Sequence, residues 1–219
     1  MKFNFDPEDL TKEKSLWEIY LSSRNISISA FNKTVLLLSI TLLTYYAFYI
    51  ETDTSLLLSK LRNISEISLG FSVSILGFLI AGFTIFATLT KPYMLLKMMD
   101  IEHKDSGLPY LKYNFFAFIR VFIFYLWISS IYLIVILFGE KNGIIPKIIN
   151  SLPDADISKP YLIRIAYVIL SLCAVYLVLL LKNFIFNIYS IVMTHLRWEH
   201  HEWENNKANA ADAKSRVAD

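Results

Sequence analysis

Ser68-Leu-Gly-Phe-Ser-Val-Ser-Ile-Leu-Gly-Phe-Leu-Ile-Ala-Gly-Phe-Thr-Ile-Phe-Ala-Thr-Leu-Thr90 runs without a charged side chain. A helix needs ~20 apolar residues to cross the hydrocarbon of a bilayer, so this stretch decides the fold: the chain reads as a membrane protein. One face of the helix carries only small side chains, Gly70, Ser74, Gly77, Ala81, Thr84 and Thr88, at alternating steps of four and three residues. Small residues at that period let another helix come close, because no long side chain separates the two backbones. The face is expected to be a helix-packing seam that touches protein rather than lipid.

Three further segments join this one. The predicted spans are about 34–50, 67–90, 113–138 and 161–181, within a transmembrane domain over 34–186. Hydrophobic residues make up 55% of the chain, charged residues 18%, and the mean hydropathy is +0.47, values on the membrane side of an ordinary globular mix. All six prolines fall outside the four predicted spans, so each can run as an unbroken helix. The predicted fold is all-α, a polytopic membrane protein with four transmembrane helices.

Basic residues set the orientation. Fourteen Lys and Arg lie before span one, between spans two and three, and after span four, against five in the other two loops. Both termini are therefore expected to be cytoplasmic. Arg120 and Arg164 fall inside spans, each near an end. Snorkelling to headgroups is the plain reading; an anion contact between helices is the sharper one.

The cytoplasmic segments offer candidate contact surfaces. Residues 1–33 are expected to form an amphipathic segment, with Asp6 capping a helix that Pro7, Glu8 and Asp9 begin. Leu10, Trp17, Tyr20 and Leu21 give it an apolar face on the membrane or on the protein itself. After span two, Met94, Met98 and Met99 offer a soft, adaptable surface. Span four does not stop cleanly: 187–204 reads as a cytoplasmic helical extension, which adds Leu196, Trp198, His200 and Trp203 to the expected partner-docking surface. Residues 205–219 read as a disordered tail.

Catalytic chemistry is mostly missing from the pattern. His195 with Glu199 and His200 with Glu204 are four apart, but the cluster is not the H-E-x-x-H pattern, and no metal or cofactor is expected. No phosphate loop, nucleophile elbow or triad signature is present. No Asp or Glu lies inside a span, which disfavours proton- or cation-coupled transport. A net charge of +2 gives no ground for direct nucleic-acid binding. Two functions remain open: a non-enzymatic sensor or scaffold in the bilayer, and a small oligomeric ion channel with span two near the pore, where Ser72, Ser74, Thr84 and Thr88 would line it.

Four spans, cytoplasmic ends, no enzyme domain and the run Gly70-Phe-Ser-Val-Ser-Ile-Leu-Gly-Phe-Leu-Ile-Ala-Gly-Phe-Thr-Ile-Phe-Ala-Thr88 resemble the membrane subunit of the bacterial Kiwa anti-phage defence system. The resemblance covers the chain up to about Trp203 and rests on layout, not on a catalytic motif. It implies a multi-pass protein of the bacterial inner membrane that forms a homo-oligomer, taken as a tetramer, and senses infection. It also implies a cytosolic DNA-binding effector subunit as partner. The small stripe would then hold helices within or between protomers, and the cytoplasmic surfaces would dock the effector.

Overall fold

The computed structural model describes residues 5–26, 29–89, 91–104, 106–140, 143–151 and 155–218, and these form helices with no strand among them. In chain order the α-helices are α1 (Leu16–Ser22), α2 (Ala30–Tyr45), α3 (Thr54–Leu89), α4 (Pro92–Met99), α5 (Tyr110–Phe138), α6 (Ile144–Asn150) and α7 (Ala155–Ala218). Four stretches are long and apolar enough to cross a membrane: α2 with its continuation to Ile50, and most of α3, α5 and α7.

The helix that decides the fold is longer than its uncharged run. α3 begins at Thr54, after Asp53 accepts hydrogen bonds from the Ser55 backbone N–H and hydroxyl, both at 2.8 Å. Its first turns bury Leu57, Leu61, Ser65 and Ser68 in line with Ser72 and Leu79 below. Lys60 and Arg62 look like loop charges in the sequence. They belong instead to the polar side of a helix whose other side is core. Lys60 pairs with Glu51 at 3.0 Å, and Arg62 donates to the Gly139 carbonyl at 2.8 Å.

α3, α5 and α7 pack on one another, and α2 leans on α7. The α5 face that meets them carries Phe118, Val121, Tyr125, Ile128 and Tyr132, at the steps of three and four that keep residues on one side of a helix. Buried hydroxyls cross-link the helices where water cannot reach. Tyr125 donates to the Leu177 carbonyl and Tyr132 to the Leu170 carbonyl, each at 2.8 Å, and Ser129 bonds Ser72 at 2.8 Å. In a lipid environment apolar burial gives little drive between helices, so close packing and such bonds matter more. Towards the lysine-rich end, Phe83, Phe118, Phe122 and Phe184 meet edge to face.

α2 ends in a π turn over Tyr46–Ile50. The Glu51 N–H reaches back to the Tyr46 carbonyl at 2.9 Å, and Arg164 takes up carbonyls that the helix end would leave unpaired. At the other end α5 follows a hairpin-like loop in which Gly107 has φ +66, a backbone that glycine adopts without Cβ strain.

The N-terminal segment departs from the single helix expected from its sequence. Pro7–Thr11 is a 3-10 turn capped by Asp6, whose carboxylate accepts from the Glu8 N–H at 3.1 Å. The chain then restarts as α1, with the N-cap Ser15 accepting from the Glu18 N–H at 3.2 Å and the Glu18 carboxylate reaching back to accept from the Lys14 N–H at 2.7 Å. α7 likewise differs from expectation: it continues to Ala218, so the tail read as disordered is helical over 205–218.

Candidate functional site

The small stripe of α3 lies on the outside of the bundle. Gly70, Ser74, Gly77, Ala81, Thr84 and Thr88 are all exposed, and a Cβ added at Gly70 or Gly77 would meet nothing within 4 Å. The stripe therefore does not pack helices within the chain, which removes half of the expected role. Its Ser74, Thr84 and Thr88 hydroxyls donate to carbonyls of their own helix at 2.9 Å, so their donor protons are used inside α3.

The seam inside the chain uses other residues. Ser65, Ser68 and Ser72 are buried at steps of three and four, against α5 and α7. Gly82 is the α3 glycine at a close helix approach: a Cβ there would sit 3.1 Å from Ile188 Cδ1 and 3.2 Å from Phe184 Cζ. The period that marks the outer stripe also marks this inner one, about half a turn round the helix. The sequence therefore held the signal for both without saying which faced in.

The methionines are not a docking surface. Met94, Met98 and Met99 are buried within the chain, because α4 folds back against α5 and the far part of α7. Lys91 pairs with Glu199 at 2.6 Å and Lys97 with Glu202 at 3.5 Å, and His195 touches Met94. Trp198 is half-buried, with the Lys97 ammonium 5.7 Å from its ring centre. Of the expected docking residues Leu196, His200 and Trp203 stay exposed. They continue an uncovered apolar line down α7 through Ile185, Tyr189 and Val192, at the spacing of a helix-pairing face.

Neither intramembrane arginine snorkels freely. Arg164 donates to the Ala47 carbonyl, to the Glu51 carbonyl at 2.8 Å and to the Thr52 carbonyl at 3.2 Å. It thus closes the end of α2 from α7. Arg120 donates through Nη1 to the Ser23 carbonyl at 3.1 Å and the Ile26 carbonyl at 2.7 Å, holding the N-terminal segment on α5. That segment is pinned twice more. Glu13 and Lys112 form an ion pair at 2.7 Å with little exposure of either side chain, and Tyr20 packs on Trp127 with ring centres 5.3 Å apart.

At the opposite end of the bundle, Glu51 sits between Lys60 and the Tyr46 hydroxyl. The Lys60 hydrogen bond holds its carboxyl below the usual range, helped by Tyr46 and the Asp53 N–H. Among the described residues no three His, Cys, Asp or Glu side chains converge as metal ligands would. His200 and Glu204 are paired at 3.8 Å on an exposed helix face. Comparison with protein-family models, with curated proteins and with solved structures gives no match to this chain.

Proposed function

We propose that the chain is a non-enzymatic subunit of a bacterial inner membrane, which assembles with copies of itself through the α3 stripe and recruits a cytosolic effector in anti-phage defence. The observation that supports this reading best is the outward placement of a face built for close helix contact, Gly70 to Thr88, with none of the described helices of the chain on it. A helix that used small residues only to meet lipid would gain nothing from their spacing, whereas a second helix gains close van der Waals approach. The defence role and the DNA-binding character of the effector rest on the resemblance to the Kiwa membrane subunit.

In this reading the lysine-rich end faces the cytoplasm, as the bias of basic residues requires. The N-terminal segment, α4 and the long part of α7 all lie at that end, so a change in helix packing in the bilayer reaches them directly. The exposed line Ile185, Tyr189, Val192, Leu196 and Trp203 supplies the effector surface in place of the methionines.

The test is a phage-protection assay in a bacterial host carrying the chain together with its genomic neighbour. Leu196→Glu with Trp203→Glu should abolish protection and co-purification of the neighbour's product while leaving the membrane assembly intact. Protection and capture unchanged by this pair would remove the docking role. Purified chain in liposomes should pass no ions; robust flux that falls on Thr84→Val would establish the channel reading instead.

A further inference from the structure

Between the start of α2, the first half of α5 and the middle of α7 lies a cavity of about 190 Å³, against the ~10–15 Å³ that a single water needs. Its wall brings together Arg120, Asn183, Asn187, Asn32, Ser29 and Tyr113. No Asp or Glu lies among its described lining residues. Lys182 stands beside it, its ammonium donating to the side-chain amide oxygen Oδ1 of Asn32 at 2.9 Å. The N-terminus of α2 opens at the same place: Ser29 makes no side-chain cap and the first turn holds no acid, so the positive end of that helix is left without a counter-charge. Two cations, amide and hydroxyl donors and an open helix end, with no carboxylate opposing them, make a site for an anion with several acceptor oxygens.

The level of the cavity narrows the chemistry. From Arg164 to Lys182 and from Arg120 to Gly139 the helices rise about 27–29 Å, close to the ~30 Å of bilayer hydrocarbon. The cavity thus sits where the apolar length ends and phospholipid phosphates begin. Beside these polar groups and Tyr176, its wall includes the apolar Val121, Leu180 and Phe186, as a neighbouring acyl chain requires. We propose that this cavity binds a phosphate group, carried by an anionic phospholipid or by a soluble phosphate ester. The inference stands apart from the assembly and defence reading above.

Purified full-length chain in detergent is titrated with dioleoylphosphatidylglycerol, with dioleoylglycerol, which has the same tails and no phosphate, and with glycerol 3-phosphate, while thermal melting and retained ligand by native mass spectrometry are followed. Phosphatidylglycerol should raise the melting temperature and remain bound. Asn183→Leu and Asn187→Leu, which leave the Arg120 and Lys182 ties in place, should each weaken it about tenfold, as loss of hydrogen bonds to a charged group does. Glycerol 3-phosphate acting as well as the lipid identifies a soluble ester as the source; the lipid acting alone identifies the bilayer. No effect of either phosphate compound, an equal effect of dioleoylglycerol, or undiminished binding by both Asn variants overturns the proposal.

Discussion

Two glycines on α3 separate the packed side of the helix from its open side. Gly82 faces Phe184 and Ile188 at contact distance, while Gly77 faces open space. Gly82→Leu should therefore destabilise the folded chain by about 1–3 kcal/mol, the range for overpacking a filled site, as read by chemical denaturation in detergent. Gly77→Leu should leave that stability unchanged. Arg164 makes a different kind of single-residue contribution. Its guanidinium serves three carbonyls at the end of α2 and its π turn, so Arg164→Met strips charge-assisted bonds from groups near the bilayer edge. A loss of about 2–3 kcal/mol per such site is expected, with α2 the first helix to gain protease or hydrogen-exchange accessibility. A uniform loss over all helices would contradict this placement.

At the scale of elements, the ties between helices carry the pH dependence. Glu51 links the turn after α2 to Lys60 on α3, and the Lys60 hydrogen bond holds its carboxyl below the usual carboxylate range. A carboxylate depressed by folding adds stability that is fully present above its unfolded value and is lost as pH falls through its folded one. Acid unfolding of the wild type should therefore steepen below about pH 4.5, and Glu51→Gln should flatten that limb while lowering stability at pH 7. An unchanged acid limb would mean that Glu51 is not the linked group. The Glu13–Lys112 pair is better shielded, so its halves depend on each other. Lys112→Met alone should cost about 3–5 kcal/mol and release the N-terminal segment to proteases, whereas Lys112→Met with Glu13→Leu should recover most of the loss, as replaced buried pairs do.

The four spanning stretches were legible because an apolar run of bilayer length leaves few other outcomes. The upper turns of α3 were not, because Lys60 and Arg62 masked the period of Leu57, Leu61 and Ser65 on the opposite side. Met94, Met98 and Met99 suggested an adaptable surface, but burial against α5 and α7 depends on where Lys91 and Lys97 find Glu199 and Glu202, over a hundred positions away in sequence. The partners of Arg120 and Arg164 are backbone carbonyls, and a sequence carries no mark of which carbonyls a fold will leave unpaired.

For the whole molecule, the α3–α5–α7 core holds the inner seam together and leaves the outer stripe on display. The proposed assembly of copies around that stripe would explain why small residues recur there, and it would leave the apolar line of α7 below it for a partner. Cysteine cross-linking in native membranes tests this claim most directly. In a Cys173→Ser background, Ser74→Cys on the stripe should give a covalent dimer on mild oxidation, Leu38→Cys on the exposed face of α2 should not, and adding Gly77→Leu to Ser74→Cys should abolish the product. Absence of cross-linking at Ser74→Cys, or equal cross-linking at Leu38→Cys, would contradict assembly through the stripe.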